Sequence, residues 1–278
     1  MSLNIMMIPV INRFTCHENQ LRFMIKNILS KKMLPILDYA NENPNNHKNN
    51  FEKIKKLISN YPNNSISVKL SSLNFDKNYL ENLTKLALEN NSRILIDAEN
   101  FTVQDKINNI TNNLMKDFNK NNVVVFKTYQ MYRKDSFELL KNDFSQSRDY
   151  YIGCKLVRGA YFNQDKKHDI LFDKINDTHR NYNKSISFLS NIMKRNDILM
   201  CATHNEESIN KAKEIIKRKS FENIEFAQLL GMSDKLSENL AKDFKVYKYL
   251  PYGNFQDTIP YLIRRLYENY PMILNLFK

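Results

Sequence analysis

Short runs rich in β-branched and aromatic residues recur along the chain, and each is followed by a stretch whose apolar residues have helical spacing. There are eight such runs. The predicted strands are Ile36–Tyr39, Ile66–Leu70, Arg93–Asp97, Val123–Lys127, Tyr151–Val157, Ile198–Thr203, Ile224–Ala227 and Lys245–Tyr249. Regular alternation of strands and helices is typical of a parallel sheet covered by helices.

The segment between the first two predicted strands illustrates the helical pattern. The apolar residues of Phe51–Ser59 fall on one face of a helix, so this segment is predicted to be amphipathic and helical. The Asn-rich segment 41–50 before it is predicted to be a loop.

The length of 278 residues suits either two small domains or one (β/α)8 barrel of about 250 residues. Eight βα units favour the closed barrel. We therefore predict an α/β fold, a (β/α)8 TIM-type barrel, regular or distorted, over residues 34–278, after a helical lead-in over 1–33. In such barrels the active site lies where the strands end.

Polar side chains lie at or just after the ends of all the predicted strands. Each has a structural alternative when taken singly, such as a helix cap for Asp97 or a satisfied buried side chain for His204. The whole set favours a functional site, because a structural strand does not require a polar end. Its members are Asp38 with Glu42, Lys69, Asp97, Gln130, Lys155 with Arg158, Thr203 with His204, Gln228 and Tyr249.

A last helix is predicted over Asp257–Tyr270, and it is expected to lie over the C-terminal face of the strands. One of its faces is apolar. Two adjacent arginines beside a tyrosine on the other face can bind a carboxylate, and Lys69 adds a third positive charge. The alternative is a solvated outer face with a weak Arg264–Glu268 pair. The polar face consists of Tyr261, Arg264, Arg265 and Glu268.

Composition narrows the classes of partner. Apolar residues make up 42% of the chain, without a run near the roughly 20 residues that a membrane helix needs. The three cysteines lie far apart, so we predict neither a disulfide framework nor a metal site. The net charge of +12 comes from scattered lysines, so we predict no nucleic-acid partner, although weak attraction to anionic lipid stays open. Met1–Phe14 contains one arginine, and no presequence is visible.

A series of motifs connects the chain to one family. They are Pro35–Glu42, Ser67–Leu73, Asp97–Glu99, Thr128–Tyr132, Lys155–Phe162, Ala202–Glu206, Phe226–Met232 and Tyr249–Glu268. The most specific sequences are KLVRGAYF in the fifth motif and YLIRRLYEN in the last. In this order they resemble the proline dehydrogenase family, whose FAD-dependent barrels oxidise L-proline to 1-pyrroline-5-carboxylate, the first step of proline catabolism.

The resemblance implies two sets of binding residues. The proline carboxylate would be bound by Lys69, Arg264 and Arg265. The proline ring would be enclosed by Tyr161, Leu229, Tyr249 and Tyr261. Contacts to FAD would come from Ala98, Gln130, Lys155, Arg158, Gly159, Ala160, Thr203, His204, Gln228 and Glu268.

The implied reaction transfers a hydride from proline C5 to flavin N5, and it benefits from donors that stabilise negative charge on the reduced flavin. Gln130 and Lys155 are the candidates. Many members of the family have Arg where this chain has Lys155, and Lys where it has Arg158. This exchange leaves open which residue is the donor at flavin N5. Asp97 is expected to give catalytic support by orienting Lys69 or the arginines.

The resemblance also implies roles at the edge of the site. Glu42 corresponds to a gate residue that pairs with Arg264 when substrate is enclosed. The bulky Tyr249 favours proline, because hydroxyproline-oxidising relatives have a smaller polar residue there. Electrons would pass to a quinone or another acceptor, with a membrane surface as one location. The implied localisation is mitochondrial in a eukaryote, and otherwise cytoplasmic and peripheral to the inner membrane.

Two alternative functions compete with this interpretation. Another flavin-dependent barrel, such as a methylenetetrahydrofolate reductase, would lack the adjacent arginines of the last helix. A degenerate barrel that serves as a basic binding protein would not need Lys69, Asp97, Arg264 and Arg265 together.

Overall fold

Strands and helices alternate along the chain in the computed structural model, which describes residues 13–41, 46–219, 222–254 and Thr258. The strands are β1 Cys16–His17, β2 Leu34–Tyr39, β3 Ser65–Val68, β4 Arg93–Ile96, β5 Val125–Gln130, β6 Gly153–Val157, β7 Ile198–Ala202, β8 Ile224–Leu229 and β9 Val246–Gly253. The helices are α1 Leu21–Ser30, α2 His47–Asn60, α3 Lys77–Glu89, α4 Phe101–Phe118, α5 Ser136–Ser145, α6 Phe162–Asp165, α7 Ile175–Ile192, α8 Glu206–Lys219 and α9 Asp234–Leu240.

Strands β2 to β9 form a closed barrel in which neighbouring strands are parallel. The barrel closes through β9, which pairs with β2 on one side and with β8 on the other. Each barrel strand corresponds to one predicted strand, so the predicted (β/α)8 fold is confirmed. The short β1 pairs Cys16 with Tyr252, beyond the end of β8.

Strand β5 begins at Val125, two residues after the predicted start at Val123. The side chain of Asn119 explains the difference. Its Oδ1 accepts hydrogen bonds from the backbone N–H groups of Val124 and Val125, each at 2.9 Å. These two amides are therefore satisfied by the Asn119 side chain and not by a neighbouring strand, and the paired part of β5 starts at Val125.

Strand β9 is longer than predicted and continues to Gly253. Leu250, Pro251 and Tyr252 stay paired with β2, so the strand does not end where its apolar pattern weakens. As a consequence, Tyr249 lies in the middle of a strand, and the prediction that it closes one is wrong.

Helix α2 begins at His47, so the predicted loop over 41–50 is wrong for residues 47–50. Asn50 has a structural role in this helix although it is polar. Asn50 is buried, and its Nδ2 donates to the backbone oxygen of Ser72 at 3.0 Å. The helix thereby secures the segment that follows β3, which leads to the candidate site.

Alternation along the strands produces two separate cores, because successive side chains point to opposite faces of the sheet. The outer core packs the barrel against its helices. The inner core fills the barrel itself and is mostly apolar, as is typical of this fold. Its residues include Ile36, Leu95, Phe126, Met200 and Ala227.

A polar network closes the N-terminal end of the barrel interior. The guanidinium of Arg93 on β4 donates to both carboxylate oxygens of Glu225 on β8, at 3.0 and 2.9 Å, and to the hydroxyl of Tyr247 on β9 at 3.0 Å. Glu225 also pairs with Lys245 at 2.8 Å. These contacts join strands on opposite sides of the barrel and leave the C-terminal end as the open end of the interior.

A buried ion pair fastens the loop before β6 to the loop before β7. Arg148 and Asp197 have side chains that are 2% and 0% exposed, and the guanidinium donates to both carboxylate oxygens. Asp197 also accepts from the backbone N–H groups of Ile152 at 2.8 Å and Lys194 at 2.7 Å. Removal of this carboxylate would leave the buried Arg148 guanidinium without its counter-charge and the backbone N–H groups of Ile152 and Lys194 without this acceptor.

We expect Asp197→Ala to lower the free energy of unfolding by about 3–5 kcal/mol, the usual effect of removing one partner from a buried ion pair. Urea unfolding followed by far-UV circular dichroism measures this as a shift of the midpoint. The control is Asp149→Ala, which removes the solvent-exposed partner of Lys120. That variant should unfold with the wild-type midpoint, and equal midpoints for all three proteins would contradict the prediction.

Candidate functional site

Four charged side chains meet at the C-terminal end of the barrel. Asp38 comes from β2, Lys69 and Asp97 directly follow β3 and β4, and Lys155 lies in β6. The Nζ of Lys155 donates to Asp97 Oδ1 at 2.6 Å, and the Nζ of Lys69 donates to the two Asp38 oxygens at 3.1 and 3.3 Å. Each residue is at most 9% exposed, so two acids and two lysines share one buried site.

Tyr249 completes the polar surroundings of Asp97. Its hydroxyl donates to Asp97 Oδ2 at 2.9 Å and lies 3.0 Å from Ser67 Oγ. The ring centroid of Tyr249 is 5.7 Å from Lys155 Nζ, within cation–π range. Asp97 therefore holds an ammonium group with one oxygen and a phenol with the other.

The electrostatics of the two carboxylates differ. Burial alone would raise the pKa of Asp97, but the ammonium groups of Lys155 and Lys69 together hold it well below its usual value. Burial raises the pKa of Asp38, and the negative charge of Asp97 adds to this effect while Lys69 opposes it. Asp97 is thus the permanently ionised member of the pair.

The described residues give Asp97 a nearer partner than the expected Lys69, and the expected arginines lie outside them. We predicted that this carboxylate orients Lys69 or the arginines of the last helix. The Lys69 Nζ lies 4.0 Å from Asp97 but 3.1 Å from Asp38, whereas Lys155 lies 2.6 Å from Asp97. Among the described residues, Asp97 orients Lys155, and Asp38 is the nearer acid for Lys69.

Gln130, the last residue of β5, connects two loops of the site. Its Nε2 donates to the backbone oxygen of Glu99 at 2.8 Å, and its Oε1 accepts from the backbone N–H of Ala160 at 3.1 Å. Ala98 lies next to Glu99 in the chain and is buried. The amide of Gln130 therefore fixes the loop after β4 relative to the loop after β6.

The loop after β6 requires glycine at position 159. Gly159 has φ +145°, and a Cβ there would lie 2.5 Å from the ring of Tyr132. The Tyr132 hydroxyl donates to Asp165 at 2.6 Å, and the backbone N–H of the buried Tyr161 lies 3.3 Å from the same hydroxyl oxygen. The ring thus occupies the space beside the glycine and holds the loop in its bend.

Arg158 in the same loop is bound by side chains from α7 and from the next βα unit. Its Nε donates to His179 Nδ1 at 2.9 Å, one terminal nitrogen donates to Thr203 Oγ1 at 2.5 Å, and the other donates to Ser208 Oγ at 3.0 Å. Its guanidinium carbon lies 4.5 Å from the centroid of the Tyr182 ring. The guanidinium is therefore fixed at every nitrogen.

His204, just after β7, has one ring nitrogen without a partner. Its Nε2 accepts from the backbone N–H of Leu229 at 3.3 Å, so the proton of the neutral ring is on Nδ1. Nδ1 is shielded from solvent and has no hydrogen-bond partner among the described residues. Burial, followed by the charge of Lys248, lowers the pKa of His204 to about 4. A neutral N–H donor is thus available for a ligand.

The described structure brings the predicted residues together in three groups. The first consists of Lys69, Asp97, Lys155 and Tyr249. The second consists of Gln130, Arg158, Ala160 and Thr203, with Ala98, Gly159 and Tyr161 in the same loops. The third consists of His204, Gln228 and Leu229, in which Gln228 Nε2 donates to Thr203 O at 3.3 Å. Glu42, Tyr261, Arg264, Arg265 and Glu268 lie outside the described residues.

Several residues of the site were given no role by the sequence. Asp38 was recognised at a strand end but not as the acid beside Lys69, although its position matches that of Asp97. His179 lies within α7 and Ser208 within α8, where a single histidine or serine gives no signal. Within the described ranges no group of three or more His, Cys, Asp or Glu side chains could hold a metal ion.

Comparison with known proteins gives a consistent result. A sequence model described as "Proline dehydrogenase" matches residues 27–272. The chain is 36% identical over 211 residues to "Proline dehydrogenase 1, mitochondrial" of Dictyostelium discoideum, which covers 69% of this chain and 37% of the relative. It is 34% identical over 216 residues to "Hydroxyproline dehydrogenase" of Xenopus laevis, covering 72% and 46%. The chain thus spans less than half the length of these relatives.

A solved structure has the same fold. The crystal structure of proline utilization A from Bdellovibrio bacteriovorus, a protein inactivated there by N-propargylglycine, superposes on this chain with a TM-score of 0.86 at 18% sequence identity. The match covers 94% of this chain and 33% of that one. At this identity the similarity establishes the barrel fold and nothing finer.

The pKa of His204 predicts how stability changes with pH. In the unfolded chain a histidine binds a proton below about pH 6.5, but in the folded protein His204 does so only below about pH 4. Between these values the unfolded state binds more protons, so the folded state loses up to about 3 kcal/mol as the pH falls through this window.

His204→Asn should remove this contribution. Urea unfolding of the cofactor-free protein at a series of pH values from 7 to 4 measures it, because both proteins contain the same carboxylates. The difference between the two curves then isolates the histidine, and the variant should lose less stability on acidification. Parallel curves would show that His204 protonates as easily in the folded protein as in the unfolded chain.

Proposed function

The chain belongs to the proline dehydrogenase family, and from this membership we propose that it oxidises L-proline to 1-pyrroline-5-carboxylate with FAD as cofactor. The observation that carries the proposal is the buried cluster of Lys69, Asp97, Lys155 and Tyr249 at the C-terminal end of the barrel. The middle of the same barrel is filled by apolar residues. Buried charges at the open end of a barrel, above an apolar middle, are typical of a site for a charged ligand.

Two features of the described residues fit a flavin dinucleotide. The solvent-shielded Nδ1–H of His204 has no acceptor among them, and Arg158 has no carboxylate within ion-pair distance in the described ranges. A dinucleotide supplies both carbonyl acceptors and phosphate charge. When bound, the flavin would supply the acceptor of the hydride from proline C5. The residues proposed to hold it are Ala98, Gln130, Lys155, Arg158, Gly159, Ala160, Thr203, His204, Gln228 and, outside the described residues, Glu268.

The charge of the cluster supports a role for the two arginines of the last predicted helix. Lys69 and Lys155 are already balanced by Asp38 and Asp97. A substrate carboxylate would therefore add an unbalanced negative charge if it met these residues alone. Arg264 and Arg265 lie outside the described residues, and we propose that they supply the missing positive charge, with Tyr161, Leu229 and Tyr261 around the substrate ring.

Asp97 acts in this proposal as an orienting residue and not as a base. Its depressed pKa makes it a weak proton acceptor at neutral pH. Its oxygens are engaged by the Lys155 ammonium at 2.6 Å and the Tyr249 hydroxyl at 2.9 Å. Asp97 therefore keeps Lys155 in place, where the positive charge can stabilise the negative charge that develops during hydride transfer.

Tyr249 is proposed to favour proline over hydroxyproline. The residue is 7% exposed, and its hydroxyl is bound to Asp97 and Ser67, so its ring cannot turn away to admit a larger polar substrate. One of the similar proteins is named a hydroxyproline dehydrogenase, so discrimination between proline and hydroxyproline is a relevant property of this site.

The partners and location follow from the same relatives. We propose a quinone-type electron acceptor, a gate role for Glu42, and mitochondrial localisation, which the name of the Dictyostelium relative supports. Among the described helices, none combines the length and apolar character that crossing a bilayer requires. Family membership argues against a methylenetetrahydrofolate reductase, and the intact charged cluster argues against a degenerate basic binding protein.

The proposal is tested by the visible spectrum of the purified chain after reconstitution with FAD. We expect a flavin absorption band that bleaches when L-proline is added without oxygen and returns when a soluble quinone analogue is added. D-proline, which would present its carboxylate on the wrong face, is the control. A protein that takes up no FAD, or a bound flavin that L-proline does not reduce, would contradict the proposed function.

Two variants separate the hydroxyl of Tyr249 from its ring. Tyr249→Phe removes the bond to the Asp97 carboxylate, so kcat/KM for L-proline should fall about tenfold. Its ratio of kcat/KM for L-proline to that for trans-4-hydroxy-L-proline should stay near wild type. Tyr249→Ser removes the ring as well and should lower this ratio about tenfold or more. If the ratio is the same in the serine variant and the wild type, Tyr249 does not determine specificity.

A further inference from the structure

Arg158 is held by neutral groups only. His179 from α7, Thr203 after β7 and Ser208 from α8 each accept a hydrogen bond from a different nitrogen of its guanidinium. The aromatic ring of the fully buried Tyr182 lies against it at 4.5 Å. In the described part of the chain, no carboxylate oxygen lies within 4.0 Å of these nitrogens, in contrast to the pairing of Lys69 and Lys155.

This arrangement leaves both charge and donors for a ligand. A guanidinium has five N–H groups, and the three contacts use one on each nitrogen. One N–H on each terminal nitrogen therefore stays available for an anion with two oxygens. Burial lowers the pKa of Arg158, but a guanidinium is charged at any physiological pH, so its positive charge persists without an acid beside it.

The three acceptors differ in how firmly they direct the guanidinium. The hydroxyls of Thr203 and Ser208 rotate about their C–O bonds, and the Ser208 hydroxyl itself donates to Asn183 at 2.6 Å. His179 instead presents a single lone pair in the plane of its ring, 2.9 Å from Nε. Burial and the charge of Arg158 lower the pKa of His179, while Glu207 opposes them, so the imidazole is neutral and can accept at neutral pH.

We propose that His179 is a positioning residue for cofactor binding, which fixes the rotation of the Arg158 guanidinium so that its remaining N–H groups meet the anionic part of the dinucleotide. The proposal rests on the proposed function, since it takes FAD as the ligand. It adds a residue from the outer helix α7 that contacts Arg158 and acts only through it. Thr203 and Ser208 support the same orientation from the next βα unit.

The test is the affinity of the cofactor-free chain for FAD, measured by quenching of flavin fluorescence on titration. His179→Leu removes the acceptor and should weaken binding about tenfold, as expected when a charged donor loses a bond. His179→Asn is the matched control, because its Oδ1 can accept near the position of Nδ1. It should bind within about threefold of wild type.

A double-mutant cycle separates positioning from a structural role. In an Arg158→Lys background there is no Nε–H in this position for His179 to hold, so His179→Leu should change FAD affinity less than about twofold. An equal loss in both backgrounds, or wild-type affinity in His179→Leu, would overturn the proposal. Thermal unfolding midpoints check that each variant is folded.

Two further outcomes are failure of a variant to fold and failure of the wild-type chain to bind FAD. If His179→Leu does not fold, His179→Ala replaces it at this half-buried position, with the same expected loss and the same result that overturns the proposal. If the wild-type chain itself does not bind FAD, the proposed function fails. Tight binding by the wild type with no dependence on His179 refutes only the positioning role.

Discussion

The ion pair between Asp97 and Lys155 is the interaction on which the open end of the barrel depends. Asp97 directly follows β4 and Lys155 lies in β6, with β5 between them, so their 2.6 Å contact joins two strands that are not neighbours. A single buried charge at this place would be strongly destabilising, because a low-polarity interior cannot replace its lost hydration. Both charges are tolerated because each has the other, because the Tyr249 hydroxyl donates to the remaining oxygen of Asp97, and because Lys69 adds positive charge 4.0 Å from it.

The barrel interior is layered from one end to the other, and the layers explain why the charges can function at only one of them. Arg93 and Glu225 close the N-terminal end with an ion pair in which one guanidinium nitrogen donates to both carboxylate oxygens, so the two charges balance each other. The apolar middle separates this network from the C-terminal end. At the open end the strands are followed by loops whose backbone groups are hydrogen-bonded by side chains. Polar side chains there can contact a ligand that does not enter the apolar core.

The cations of the open end are of two kinds. Lys69 and Lys155 are neutralised by carboxylates and belong to a balanced cluster, so their effect on a ligand depends on short distances and orientation. Arg158 contacts hydroxyls, an imidazole and an aromatic ring, and among the described residues it forms no ion pair with a carboxylate. A balanced centre beside a cation without such a pair suits a zwitterionic substrate beside an anionic cofactor, which agrees with the function proposed from family membership.

The amino-acid sequence by itself determined the fold, the family and the place of the site. Strand and helix periodicities depend on local side-chain spacing, so eight strands were recognisable, and polar residues at their ends indicated the end of the barrel that holds the candidate site. Motifs such as KLVRGAYF indicated the family, because their residues are contiguous in the sequence and can be recognised without a structure.

Only the tertiary structure decided which of these side chains touch. Asp97 pairs with Lys155 and not first with Lys69, Asp38 takes Lys69, and His179 reaches Arg158 from a helix that carries no motif. The physical reason is common to all of them: pairing of charges and hydrogen-bond donors depends on distances across the barrel, and periodicity along the chain contains no information about those distances.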